Sequence, residues 1–479
     1  MKKGRLICLL LTICMLMTTL GGCDLLDTLK NMISPKENPG YSTVVPVYTD
    51  DKQLEIMAYW SPPITEQQYQ WMKDCGMTAV IVDRKYDAYT GVNSRRILQM
   101  CEELGLDVYF VLDKFYGAEQ LKPYESFVQY SSFAGFYIDE PYTKSHLDNV
   151  ADQARGIYEM SPNLRHILNI TCEVVLASDD LLWAYPSKEA LDAAIANGDF
   201  FTTYEDYTNY AMDVVLKPNS NVMLTATNYP MVDYRTETLR ETWLNTLGKC
   251  QTISSAAGST MLQFVQSAGH KNGNNEFFLR QPTEADVRWL RYTTLAYGGE
   301  GFMDFVYTSL SDGGEVREGC YGPIYWTDVN DYNTYYRTDV WYSIQKVNKE
   351  LNSFDHVLLS FDWQGVLCHN VKNDPSVKPV FDNAVGKLSE HKRLEKIKST
   401  GDLLIGCFKD ENDYDGFLVV NFTETVNNSR VRNEVSITFD YATKALVYIN
   451  GQEKLVTLKN HTFTHTMLPG EGFFIIPIA

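Results

Sequence analysis

From Leu54 onward, short apolar runs alternate with longer stretches in which apolar side chains recur every three or four positions. Leu54–Tyr59 is the first run. Thr65-Glu66-Gln67-Gln68 then opens a helix with a hydroxyl cap and early acidic charge, and Gly76 closes it. Thr78–Asp83 is the second strand, and a helix from Ser94 to Gly105 carries Ile97, Leu98, Cys101 and Leu104 on one stripe. The same alternation predicts strands at Asp107–Leu112, Phe133–Asp139, Ile167–Thr171, Val222–Thr227, Met261–Val265 and Gly301–Val306. Helices fall at Ser145–Met160, Thr238–Ala257 and Thr283–Tyr297. Asp199–Phe201 competes for the sixth strand, but Tyr207, Tyr210, Ala211 and Val214 have helical spacing within Thr203–Leu216, which leaves Val222–Thr227 as the sixth. Strands this apolar, separated by helices and without tight hairpins, pair in parallel. Eight such units in residues 54–360 predict an α/β fold, a closed (β/α)8 TIM barrel. No G-x-G-x-x-G follows the first strand to favour an open doubly wound sheet.

The period changes near Phe361. Leu403–Phe408, Gly416–Asn421, Val435–Phe439, Ala445–Ile449, Leu455–Leu458 and Phe473–Pro477 are short strands punctuated by Asp415-Gly416 and Asn450-Gly451. Residues 361–479 therefore read as a C-terminal antiparallel β-sandwich.

The N-terminus has a different pattern. Met1-Lys2-Lys3-Gly4-Arg5 is basic and Leu6–Leu20 is a continuous apolar run. It is shorter than the roughly 20 residues a membrane-spanning helix needs, and it matches a secretory signal over residues 1–22. Leu20-Gly21-Gly22-Cys23 resembles a bacterial lipobox, which implies diacylglycerol on Cys23. Residues 23–53 are then a polar, Pro- and Gly-dotted tether. The expectation is a protein on the outer side of the cell membrane, held only by its lipid anchor. Cysteines number ten, of which seven lie scattered beyond Cys23 without a C-x-x-C, so neither a zinc knuckle nor a redox pair is visible, and at most one or two disulfides are expected.

The formal charge of −19 argues against a nucleic-acid partner, whose phosphates would be repelled. Aromatic residues make up 13% of the chain, with 31 tyrosines, and Tyr and Trp present a flat apolar face with a polar edge that suits sugar rings. The expected partner is accordingly a carbohydrate, an oligo- or polysaccharide. No His-Glu-x-x-His, phosphate loop or G-x-S-x-G elbow occurs, and neither metal nor cofactor is expected.

Barrel chemistry sits at the C-terminal ends of the strands. The fourth strand ends Tyr137-Ile138-Asp139-Glu140-Pro141, two adjacent carboxyls after an apolar run. A carboxyl held against apolar walls beside a second carboxylate has its pKa pushed up, as a general acid near neutral pH requires. Asp139 and Glu140 are the catalytic candidates. Other strand-end residues suited to a sugar cleft are Tyr59 and Trp60, Asp83 and Arg84, Asp113, Glu173, Asn228 and Tyr229, Gln266 and His270, and Asp304, an acid set among apolar neighbours. The loop Cys320–Tyr336 adds six aromatic rings.

The segment Arg280-Gln281-Pro282-Thr283, followed by Leu295-Ala296-Tyr297-Gly298, resembles clan-A glycoside hydrolases, particularly the barrel β-galactosidases. The closing Leu468-Pro469-Gly470-Glu471-Gly472-Phe473-Phe474 is similar to the end of their C-terminal β domain. The resemblance implies a glycosidase with Glu140 as acid/base, although that family has Asn where Asp139 stands. It also implies a nucleophilic Glu ending the seventh strand, where this chain reads Leu262-Gln263-Phe264-Val265-Gln266. Three readings stay open. The Asp-Glu pair also resembles hexosaminidases, which implies attack by the substrate's own acetamido group, oriented by Asp139. An inverting route would use Asp113, Glu173 or Asp304 as base across a water. The third is a catalytically inactive carbohydrate-binding surface lipoprotein.

Overall fold

The computed structural model describes residues 42–82, 91–173, 181–182, 185–232, 239–271, 277–310, 316–423 and 431–479. Residues 1–41, with the expected signal, Cys23 and most of the expected tether, and Asp83 with Arg84 lie outside the described residues.

Eight parallel strands form the barrel: β1 (Glu55–Tyr59), β2 (Ala79–Val82), β3 (Asp107–Val111), β4 (Phe133–Asp139), β5 (Arg165–Thr171), β6 (Val222–Thr227), β7 (Gln263–Gln266) and β8 (Gly301–Phe305). They pair in the order β6-β5-β4-β3-β2-β1-β8-β7. The remaining seam closes where Leu224 N donates to Thr260 O at 2.9 Å and Leu262 N to Leu224 O at 2.8 Å. Alternation along the strands sorts side chains into two layers. Met57, Ile81, Tyr109, Tyr137, Ile167, Met223, Phe264 and Met303 fill the barrel, while Ile56, Val80, Val108, Phe136, Leu168, Leu224 and Phe302 meet the helices.

The helical layer is α1 (Glu66–Asp74), α2 (Val92–Leu104), α3 (Lys144–Met160), α4 (Lys188–Ala196), α5 (Tyr204–Ala211), α6 (Trp243–Ala257), α7 (Glu284–Ala296) and α8 (Asp339–Leu351). Thr65, Thr143, Ser187 and Thr203 each cap a helix by accepting from the backbone N–H three residues on. Two connecting segments are not regular α-helix. Between β3 and β4 the chain forms 3-10 turns over Ala118–Gln129, where Pro123 removes a backbone donor. The helix expected through Leu216 ends as a π turn over Met212–Leu216.

β4 carries a bulge that determines what its end presents. Val108 pairs with Phe133 and Tyr109 with Gly135, so Ala134 is the extra residue. From Gly135 the inward positions are 135, 137 and 139, which turns Asp139 into the barrel mouth. Gly135 has φ of 147° and lies against β5 so closely that a Cβ would stand 1.9 Å from Arg165 O. Gly135→Ala is expected to destabilise the protein by about 3 kcal/mol, read as a lower urea midpoint; an unchanged midpoint would show that the β4–β5 approach is not tight.

Nine antiparallel strands follow: β9 (Phe361–His369), β10 (Leu394–Ser399), β11 (Leu403–Asp410), β12 (Asp415–Asn421), β13 (Asn433–Phe439), β14 (Lys444–Ile449), β15 (Gln452–Thr457), β16 (Thr462–Met467) and β17 (Gly472–Ile478). One sheet runs β9-β11-β12-β17-β14-β15 and the other β10-β13-β16. The fold is thus a TIM barrel followed by a β-sandwich. Helix α7 joins them. Every residue from Ala285 to Ala296 is buried, because one face meets the barrel and the other the sandwich. Trp289 packs on Phe422 at 4.8 Å between ring centres, and Trp363 Nε1 donates to Ala296 O at 3.1 Å. All seven cysteines from Cys75 to Cys407 are free thiols, within the expected limit of at most one or two disulfides. No helix among the described residues is long and apolar enough to cross a membrane.

Candidate active site

The inward positions at the ends of β4, β5 and β6 are Asp139, Asn169 and Thr227, and hydrogen bonds join them into one network. Tyr137 OH donates to Asp139 Oδ1 at 2.6 Å and Asn169 Nδ2 to the same oxygen at 2.9 Å. The second hydrogen on Asn169 Nδ2 goes to Thr227 Oγ1 at 2.8 Å. Thr227 therefore keeps its own hydroxyl hydrogen, and its hydroxyl favours the ionised form of the nearby Glu140 carboxyl. Asp139 is solvent-exposed and Glu140 half-buried.

Glu140 leaves the strand with φ of 41°, in the left-handed region that few non-glycine residues adopt. Its N–H donates to Asn169 O at 2.9 Å, and Tyr142 OH reaches its Oε2 at 3.4 Å. Burial is the largest influence on the carboxyl and the charge of Asp139 the next. Together they push its pKa up to about 6, against smaller opposing effects from Thr227, Lys114 and Tyr142. Half of such a carboxyl is protonated at pH 6, and it can deliver a proton near neutral pH.

The floor beside this pair is aromatic. Tyr59 lies 5.4 Å from Tyr137, 5.1 Å from Phe264 and 5.6 Å from Phe305, and stacks on Trp60 at 6.0 Å. Tyr229 and His270 each stack on Phe305, at 5.1 and 5.2 Å. Burial lowers the His270 pKa to about 4, so its imidazole is neutral at physiological pH. Five expected residues, Asp139, Glu140, Tyr59, Trp60 and Tyr229, together with His270, therefore belong to one strand-end region.

The others differ. Asp113 is half-buried just past β3, with Oδ1 accepting from Phe115 N at 3.0 Å. Glu173 is exposed beyond β5, and its backbone carbonyl accepts from Thr171 Oγ1 at 2.7 Å. Three expected sugar ligands need correction. Asn228 is fully buried and donates to Thr246 Oγ1 at 2.7 Å; lying one step past Thr227, it points outward to α6. Asp304 lies on the outer face of β8, fully buried, with both carboxylate oxygens on Arg291 Nη2 of α7 at 2.7 and 2.8 Å. It is a structural anion, which removes it from the possible bases.

Gln266 is the third correction. It is fully buried, and its Nε2 donates to Arg280 O at 2.6 Å and Met231 O at 3.4 Å. The amide fastens the loop that leads to α7, whose N-terminus is closed by Thr283, Asp286 and the bidentate Arg280–Asp286 pair. Gln266→Glu would aim a buried carboxylate at two carbonyl oxygens. It is expected to lower stability by about 2 kcal/mol and to yield no β-glycosidase turnover. A thermal melt and an assay on aryl β-glycosides check both; a gain of turnover would mean that only the missing nucleophile had limited the site.

Sequence reasoning missed Asn169, Thr227, Tyr142 and Lys114. Asn169 had a usable signal, as an amide within an otherwise apolar strand. Lys114 had none, since it acts on carbonyls of residues distant in sequence. Among the described residues no group of three or more His, Cys, Asp or Glu is arranged to hold a metal ion.

No family model matches the chain, and no curated protein matches it. Solved structures with a similar architecture include an alpha-amylase from Anoxybacillus, 9% identical over 91% of this chain and 99% of that one, with a TM-score of 0.47. A GH27 β-L-arabinopyranosidase from Geobacillus stearothermophilus is 9% identical over 89% of this chain and 96% of that one, with a TM-score of 0.43. A family 5 glycoside hydrolase from Bacteroides vulgatus is 10% identical over 91% of this chain and 89% of that one, with a TM-score of 0.43. These neighbours are glycoside hydrolases, and at such identities and scores the likeness extends to architecture alone.

Proposed function

We propose that the protein is a glycoside hydrolase, lipid-anchored through Cys23 outside the cytoplasm, with Glu140 as the general acid. The observation that carries this reading is the raised Glu140 carboxyl beside Asp139 at the C-terminal mouth of the barrel, next to an aromatic floor. Glu140 gives its proton to the glycosidic oxygen as the bond from the anomeric carbon to that oxygen breaks, and the electron pair leaves with the alcohol. Asp139, fixed by Tyr137 and Asn169, is the anion beside the cationic sugar that develops. The nucleophile does not come from β7. It is either the substrate's own acetamido oxygen, oriented by Asp139, or a water activated by Asp113 or Glu173 across the mouth.

A second reading, a carbohydrate-binding surface lipoprotein without catalysis, is favoured by one observation, the structural use of Gln266 where a nucleophilic Glu would be needed. The test is a panel of chromogenic α- and β-glycosides, N-acetylhexosaminides included, applied to the chain from Asp24. Turnover confined to N-acetylated sugars selects the substrate-assisted route; turnover without that requirement selects water. No turnover, with saturable glycan binding in a thermal-shift screen, selects the binding protein.

A further inference from the structure

Glu140 owes its unusual backbone to something, and no glycine at the position supplies it. The carbonyls of Asp139 and Glu140 turn toward the same point, and two converging carbonyl oxygens repel unless a donor lies between them. Lys114 Nζ lies there, donating to Glu140 O at 2.9 Å and to Asp139 O at 3.3 Å. The same ammonium lies over the Tyr142 ring, 3.8 Å from its centre, and Tyr142 OH is the phenol that reaches Glu140 Oε2. Lys114 is itself fixed from α3. Asn149 Nδ2 holds its carbonyl at 3.1 Å, and Gln153 Nε2 holds the carbonyls of Asp113 at 2.9 Å and Tyr116 at 2.6 Å.

We infer that Lys114 is a positioning residue for the general acid, using one ammonium to clamp the left-handed turn at Glu140 and to seat the tyrosine that contacts its carboxyl. This rests on the glycosidase reading of Glu140 for its kinetic consequences and on geometry alone for its structural ones. The clamp is also a nearby positive charge. The groups that sense Glu140 are Asp139 and Tyr137 on β4, Lys114 beyond β3, Tyr142, Cys172 beyond β5, Tyr207 on α5 and Tyr229 beyond β6. Burial raises every tyrosine and the cysteine in that set, so at pH 6 they are neutral, and the charges that weigh most on Glu140 are Asp139 and Lys114; Arg240 adds a further positive charge near Cys172 and Tyr229. Asp139 and Lys114 act in opposite directions on its proton, and removing Lys114 leaves the smaller influences of the Thr227 and Tyr142 hydroxyls against Asp139.

Lys114→Met keeps the length of the side chain and removes the ammonium, and Lys114→Arg keeps the charge while altering the fit. On the best glycoside from the panel, Lys114→Met is expected to lower kcat on the order of 10- to 100-fold with KM changed far less, as a misaimed acid does. It is also expected to move the alkaline limb of the kcat profile to higher pH. Lys114→Arg restores the limb and only part of kcat. An unchanged kcat and limb in Lys114→Met would overturn the proposal. So would an equal loss in both variants with the limb unmoved, which describes a fold defect. If the wild type turns over no glycoside, 13C carboxyl NMR of Glu-labelled protein still decides. The resonance missing from Glu140→Gln is expected to titrate higher in Lys114→Met, and an unmoved titration in a folded variant would refute the clamp without reference to activity.

Discussion

Glu140→Gln is expected to lower kcat on the order of 100- to 10,000-fold, the range that positioned proton transfer supplies, with the fold intact. The amide is isosteric, keeps one acceptor oxygen within reach of Tyr142, and leaves the clamped turn unchanged. It lacks the acidic proton that a carboxyl can transfer. The sign of the pH dependence follows from the same carboxyl. Only the protonated form is the acid, and burial with the charge of Asp139 sets its midpoint at about 6, so the wild-type rate is full below that value and falls as pH rises through it. Glu140→Gln should lack this alkaline limb. A profile that instead rises through pH 6 would make Glu140 a base in the limiting step.

Asp304→Ala is expected to produce the largest loss of stability. Its carboxylate and Arg291 are both fully buried, and without Asp304 the guanidinium keeps the Asn348 Oδ1 hydrogen bond at 3.1 Å and the Phe302 ring 5.4 Å away, but no anion. Leaving a buried charge uncompensated costs about 3–5 kcal/mol, whereas removing both partners often costs far less. Urea unfolding should therefore show a large fall for Asp304→Ala and a substantial recovery in Asp304→Ala with Arg291→Leu. Asn348 also donates to Cys75 O at 2.9 Å, so the network joins β8, α7, α8 and the end of α1 on the outer side of the barrel. The pH profile of the folded variant should match the wild type. A pH limb that vanished with Asp304 would return this residue to the chemistry.

Much of the architecture was legible because parallel barrel strands are apolar on both faces, which makes each a short continuous run bounded by helix. The third connection was not, since Pro123 and short-range turns carry no helical period. In the sandwich, β9, β10 and β16 were not among the six strands read from the sequence: a bulge between Trp363 and Gly365 breaks the alternation in β9, and Lys, Glu and Thr on the exposed faces weaken it in β10 and β16. The candidate site was legible at Asp139 and Glu140, where two acids interrupt an apolar run. Asn228, Gln266 and Asp304 looked like ligands for the same reason, yet each is buried and engaged elsewhere: Asn228 and Asp304 with the helices behind their strands, and Gln266 through its amide hydrogens with loop carbonyls. Sequence gives the position along a strand; which face a residue takes at the very end depends on bulges such as the one at Ala134 and on the partner waiting behind. Lys114 shows the converse. Its partners are backbone carbonyls 25 and 26 positions away, and no pattern of residue types encodes them.

The most direct test of Glu140 as general acid is the leaving-group dependence of the Glu140→Gln variant. Aryl glycosides of one sugar, from dinitrophenyl to unsubstituted phenyl and alkyl leaving groups, would be compared by kcat/KM in wild type and variant. Dinitrophenolate departs without protonation, so the account predicts a small loss there and a loss that grows steadily as the leaving group becomes more basic. An equal loss for every leaving group would contradict it, because a residue that only shapes the pocket affects all of them alike.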